Sequence, residues 1–174
     1  LTPQLRADCG DTDLILIDLG LGQCRLGGSV LAQAYRQTGN VAPDVDDPAL
    51  LRAFFGALQQ LNAEGKILAY HDRSDGGLFV TVCEMMFAGR SGVELDLSAL
   101  LAVHTALEVL FNEELGALIQ VRRGESAAVL KALAAAGLGA ACRGIGRVNG
   151  SGKLVIVAGG KRIVAADRIE LHRS

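Results

Sequence analysis

Two stretches of this chain follow one plan: a short apolar run, a glycine-rich or polar junction, then an apolar stripe at helical spacing. The first run, Leu14-Ile15-Leu16-Ile17, is continuous, short and ended by Asp18 and Gly20, which predicts a buried strand. Leu19 to Gly28 carries Gly20, Gly22, Gly27 and Gly28 and reads as a loop. Ser29 then stands ahead of Val30, Leu31, Ala34 and Tyr35, an apolar stripe with Gly39 as its natural stop. The second copy of the plan runs from Lys66–Tyr70, a short strand, through His71-Asp72-Arg73-Ser74-Asp75-Gly76-Gly77 into Leu78, Val82, Met85 and Met86, ending at Gly89. A strand that feeds a helix through a tight turn packs that helix back onto a sheet, so a layered fold is expected.

The intervening segments agree. Asn40 to Asp47 is polar, acidic and holds Pro43, a surface loop. Asp47-Pro48 is a helix start, with Asp as N-cap and Pro at the first helical position. Leu51, Phe54, Phe55, Leu58 and Leu61 follow on one face, and Gly65 ends that helix. Val93–Leu97 and Ala117–Val121 read as strands, Ala99–Leu110 as a broken helix and Glu125–Ala136 as an alanine-rich helix closed by Gly137. Ala140–Val148 is a further strand, and Lys153–Ala158 pairs with Lys161–Ala165 across a Gly159-Gly160 turn. No period of 20 to 50 residues recurs and no interior linker appears. The expectation is a single α+β domain, residues 1–174, with a mixed β-sheet of about four core strands and helices packed on it.

Composition narrows the function. Among 174 residues, 17 Lys and Arg face 19 Asp and Glu, and the formal charge of −2 gives no overall attraction for nucleic acid or an anionic membrane. Aromatics are 4% with no Trp, which leaves little material for base-stacking platforms. No apolar run reaches the roughly 18 residues of a membrane span. Cys9, Cys24, Cys83 and Cys142 form no C-x-x-C pair and no zinc spacing, which fits packing thiols in a reducing, cytoplasmic setting. His104 and His172 stand alone and read as surface residues, and no Ser-His-Asp or Cys-His arrangement is recognisable. The first residue is Leu1, with no signal-peptide pattern after it; a segment of a longer protein is expected ahead of the alternative, a processed chain.

Three segments could carry chemistry. In His71–Gly77, Asp72 and Asp75 are hard oxygen ligands of the kind Mg²⁺ takes, and Ser74 with the Gly76 and Gly77 amides can approach a phosphate at a helix start. Arg73 can pair a phosphate or an internal carboxylate. The plainer alternative is that Asp72 or Asp75 only caps the helix. Gly27-Gly28-Ser29 forms a weaker candidate, a phosphate cradle or an ordinary turn with Ser29 as N-cap; it is neither a P-loop nor a dinucleotide fingerprint. Asn112-Glu113-Glu114, polar among apolar neighbours, either completes a metal or substrate shell or is a surface turn before the next strand.

The run HDRSDGGLFVTVCEMMFAG, His71 to Gly89, resembles the corresponding segment of the phosphoribosylformylglycinamidine synthase family, within the aminoimidazole ribonucleotide synthetase superfamily. LIDLGLG with LGGS (Leu16 to Ser29), AQAYRQ (Ala32 to Gln37) and LFNEELGALIQV (Leu110 to Val121) are similar as well. The likeness runs from about Leu14 to Val148 and is to the second C-terminal-type half-domain of the large, single-chain form. It implies a ligase in which ATP activates the formamide oxygen of formylglycinamide ribonucleotide as a phosphoryl imidate and ammonia from glutamine displaces phosphate. It implies Mg²⁺ and ATP or ADP as cofactors, with Asp72 on the metal and Ser74 on the nucleotide. Gly27, Gly28, Ser29 and Glu113 carry over more weakly. The partners it implies are the other domains of the same polypeptide: an N-terminal-type nucleotide-holding half and a glutaminase. Two other readings stay open, a selenophosphate- or thiamine-phosphate-type kinase domain and a ligand-free scaffold module.

Overall fold

The computed structural model describes residues 1–39 and 41–173. Its seven strands form one sheet: β1 (Thr12–Asp18), β2 (Ile67–Asp72), β3 (Gly92–Asp96), β4 (Gly116–Arg122), β5 (Cys142–Asn149), β6 (Lys153–Ala158) and β7 (Lys161–Asp167). The order across the sheet is β2-β4-β1-β5-β3-β6-β7. Only β3 and β6 run parallel; the other neighbours are antiparallel. The expected mixed sheet with packed helices is present. It is wider than about four core strands, because the β6–β7 hairpin joins through the parallel β3–β6 pairing and does not stand apart.

The continuous apolar run of β1 is explained by burial on both faces. Successive side chains of a strand point to opposite faces. Leu14 and Leu16 enter one core with Met85, Met86, Leu95 and Leu118, while Ile15 and Ile17 enter a second with Phe54, Leu58, Ile119 and Leu133. Helices α3 (Gly77–Gly89), α4 (Ser98–Leu101), α5 (Ala106–Phe111) and α7 (Arg168–Arg173) belong with the first core. Helices α2 (Pro48–Ala63) and α6 (Ser126–Leu133) belong with the second, which draws no residue from β3, β6 or β7. The sheet is thus covered on both faces over β2-β4-β1 and on one face towards β7.

Local signals place the helix ends. Asp47 accepts the Ala49 amide at 2.8 Å at the start of α2. Thr105 and Glu108 form a capping box that opens α5. The segment read as one broken helix is α4 and α5, parted at Thr105. The short helix α1 (Val30–Ala34) ends at Tyr35, ahead of Arg36 in the left-handed region at φ 55°, earlier than Gly39 suggested. The helix expected at Glu125–Ala136 is α6 followed by a wider turn over Ala134–Leu138, with Gly137 at φ 88°.

The apolar face of α2 is narrower than the sequence suggested. Phe54, Leu58 and Leu61 are buried, but Phe55 is 64% exposed and Leu51 37%. Phe54→Ala is expected to cost about 3–5 kcal/mol in urea denaturation, and Phe55→Ala no more than about 0.5 kcal/mol. Equal losses at the two positions would contradict this packing.

Candidate functional site

The polar segment His71–Gly77 spans the end of β2 and the start of α3. His71 ties the two elements: its ring nitrogens lie 2.8 Å from the Asp72 carbonyl and 2.9 Å from the Glu84 carboxylate on α3. Arg73 is buried, and its guanidinium donates to Asp18 Oδ1 at 2.6 Å, the Glu114 carbonyl at 2.6 Å and the Leu115 carbonyl at 3.3 Å. Of the two partners expected for Arg73, the structure provides the internal carboxylate. The next residues turn sharply: Gly76 and Gly77 both have positive φ, and the Gly77 amide donates to the Ser74 carbonyl at 2.9 Å. A Cβ on Gly77 would come within 2.8 Å of Asn112 O, Leu110 O and Phe111 C, so α3 begins hard against the α5 terminus. Asp72 and Asp75 point outward, Asp72 with 69% of its side chain exposed. Ser74 is half-buried.

The second turn is built differently. Gly27 donates to the Val41 carbonyl at 2.8 Å, Gly28 to the Thr38 carbonyl at 2.7 Å and Ser29 to the Leu26 carbonyl at 3.3 Å. The Ser29 hydroxyl accepts the Ala32 amide at 3.2 Å and donates to the Leu26 carbonyl at 2.7 Å. In this arrangement the Gly27, Gly28 and Ser29 amides close a loop and Ser29 caps α1; none of the three is turned towards an external phosphate.

The third segment joins the other two. Glu113 Oε1 accepts the Gly76 amide at 2.8 Å and the Val30 amide at 2.9 Å. Its neighbours serve inward. Asn112 donates to the Glu108 and Val109 carbonyls. Glu114, 1% exposed, takes the Arg25 backbone amide at 3.0 Å and the Arg25 guanidinium at 2.7 Å through both oxygens. Arg25 also grips Asp46 at 2.8 Å, and these two carboxylates, Glu114 first, hold its guanidinium more firmly protonated than usual. Arg25, Asp18 and Asp46 were not singled out from sequence. A lone Arg in a glycine-rich loop, an Asp at a strand end and an Asp in a loop carry no local sign of partners 89, 55 and 21 positions away.

A cleft of about 660 Å³ lies beside α1, walled by Cys24, Leu26, Leu31, Tyr35 and Leu107; no residue of Asp72–Gly77 lines it. Burial pushes the Cys24, Cys83 and Cys142 thiols up to about 11, so they are neutral packing groups near pH 7. Among the described residues no group of three or more His, Cys, Asp or Glu side chains could hold a metal ion. The donor chemistry at Asp72 fits one hard oxygen ligand for Mg²⁺, an ion that keeps several waters and phosphate oxygens in its shell.

The chain matches the family described as AIR synthase related protein, C-terminal domain, over residues 15–159. It is also similar to PurL of Thermotoga maritima complexed with ATP: 13% identity, TM-score 0.74, covering 98% of this chain and 27% of that one. Phosphoribosylformylglycinamidine synthase II of the same organism gives the same figures. HypE of E. coli, a hydrogenase maturation protein, is 22% identical with TM-score 0.60, covering 95% of this chain and 51% of HypE. At these identities the likeness is one of fold, and the chain spans about a quarter of the PurL chains it matches. The family match reaches from β1 to the β6–β7 turn and takes in both glycine turns and the segment that joins them: the chain belongs to the AIR synthase related protein C-terminal domain family.

Proposed function

We propose that this chain is the second C-terminal-type domain of a large phosphoribosylformylglycinamidine synthase and that it contributes to binding a magnesium nucleotide. In the whole protein, formylglycinamide ribonucleotide, ATP, glutamine and water become formylglycinamidine ribonucleotide, ADP, phosphate and glutamate, within cytoplasmic purine synthesis. The reading draws on the family, on the HDRSDGG and FNEELG runs, and on a fold shared with PurL structures described as complexed with ATP, ADP, AMPPCP and FGAR. The coverage of 27% of PurL supports a part of a longer protein; in this reading an N-terminal-type half and a glutaminase make up the rest. Among the described residues no helix is long and apolar enough to cross a membrane.

One observation carries the site assignment. Around the β2–α3 turn the buried charges are matched internally, Arg73 by Asp18 and Arg25 by Glu114, whereas Asp72 projects outward at the end of β2. An exposed carboxylate at a strand end, 3.6 Å from the His71 ring, supports the reading of a metal–phosphate ligand. Asp72 would hold Mg²⁺, and Ser74, two residues on, would donate to or accept from the nucleotide. The ion, when bound, offsets the phosphate charge. Gly76 and Gly77 supply the positive φ of the turn that presents Ser74; their amides are taken by Glu113 and the Ser74 carbonyl, so they shape the turn and do not donate to the nucleotide. Gly27, Gly28 and Ser29 stay outside the contact set while their amides remain bonded to carbonyls.

Asp72→Asn in the full-length protein keeps size and hydrogen bonding but deletes the charge. If the nucleotide is catalytic, turnover is lost with the fold intact. If the nucleotide is structural, co-purifying nucleotide and melting temperature fall together, and activity follows them. Unchanged nucleotide content, melting temperature and turnover would overturn the metal role of Asp72 and leave the segment a plain turn, since Gly76 stands at the start of α3 and no side chain caps that helix.

The 174-residue chain alone should show no turnover of ATP with formylglycinamide ribonucleotide, because one carboxylate and one hydroxyl do not complete an octahedral Mg²⁺ shell. Measurable product formation by the purified chain would contradict the assignment of the remaining machinery to other domains.

A further inference from the structure

The geometry points to Glu113 as a positioning residue that sets the β2–α3 turn for its ligand, acting by the reach of its side chain and not by its charge. This inference rests on the magnesium-nucleotide reading above. A single oxygen, Glu113 Oε1, accepts Gly76 N at 2.8 Å and Val30 N at 2.9 Å. The two donors come from turns far apart in the chain, 37 and 83 positions from Glu113. Both sit at helix starts, where amides lack an intrahelical acceptor. One carboxylate oxygen has lone pairs for both.

The bracing on either side of Glu113 makes this contact a gauge. Asn112 is fixed by the Glu108 carbonyl and Glu114 by Arg25. The Gly77 amide locks onto the Ser74 carbonyl at 2.9 Å, so Gly76 moves with Ser74 and Asp72 as one turn. A side chain shorter by one methylene, anchored on a held backbone, loses at least one of the two amides. Freed of Glu113, the turn that carries Asp72 and Ser74 is no longer referenced to the α1 turn.

Charge and reach separate in three substitutions in the full-length protein. Glu113→Gln keeps reach and an accepting oxygen without the charge; Glu113→Asp keeps the charge without the reach; Glu113→Ala keeps neither. MgADP affinity by calorimetry, amide hydrogen exchange of the peptides containing Val30 and Gly76 without nucleotide, and melting temperature are measured for each. Glu113→Gln should bind MgADP within about threefold of the parent with near-parental exchange. Glu113→Asp and Glu113→Ala should bind about tenfold or more weakly, the scale expected for losing a hydrogen bond that sets the turn, with faster exchange at one or both peptides in Glu113→Asp and at both in Glu113→Ala. If Glu113→Ala does not fold, the Gln and Asp pair decides. Parental binding in all three, or loss in Glu113→Gln with retention in Glu113→Asp, overturns the inference; the second result makes Glu113 a charged ligand. A parent that binds no MgADP defeats the nucleotide reading instead, and the exchange of the two peptides still shows whether the brace exists: unchanged exchange in Glu113→Asp and Glu113→Ala overturns it.

Discussion

A buried guanidinium has to be matched, and the matching of Arg73 organises this end of the sheet. Its donors reach Asp18 at the close of β1 and the Glu114 and Leu115 carbonyls just ahead of β4, while its own backbone continues β2. Those three strands are neighbours, in the order β2-β4-β1. Removing a partner from a buried ion pair leaves an uncompensated charge, at a cost of about 3–5 kcal/mol. The pair therefore fixes where the three strands stop relative to one another, and the polar turn leaves the sheet from that fixed point.

Around that fixed point the charges divide the labour. Arg73, Arg25, Asp18 and Glu114 face inward and are matched; Asp46 closes the loop over Arg25; Glu113 spans the two glycine turns. Asp72 and Asp75 face outward from the same turn. The inner set holds the geometry, and the outer carboxylates meet solvent. The two-faced burial of β1 and β4 keeps this frame stiff, since helices pack on both sides of the sheet where the turns emerge.

Much of this was legible in the sequence wherever the signal is local. The unbroken Leu14–Ile17 run marked a buried strand, Asp47-Pro48 marked the start of α2, and the Gly159-Gly160 pair marked the β6–β7 turn. The concentration of polar residues after β2 marked the outward turn, and the resemblance of the HDRSDGG and FNEELG runs agrees with the family the chain belongs to. The parallel β3–β6 pairing was not legible, because β4, β5 and several helices separate the two strands in the chain and no local periodicity encodes a partner. The burial of Phe54 against the exposure of Phe55 depends on which face of α2 meets the second core, not on apolar character. The Glu113 bridge was hidden for the same reason: a carboxylate in a polar triplet does not announce two backbone amides from distant turns.

The most direct test of Asp72 as a metal ligand is the position of the metal. A crystal of the full-length protein grown with ADP and Mn²⁺ in place of Mg²⁺ would reveal the ion by anomalous scattering. The ion should lie at bonding distance, about 2 Å, from an Asp72 carboxylate oxygen, bridging to the nucleotide phosphates with Ser74 against the nucleotide. An ion and nucleotide bound with Asp72 more than about 4 Å from the metal would contradict that role.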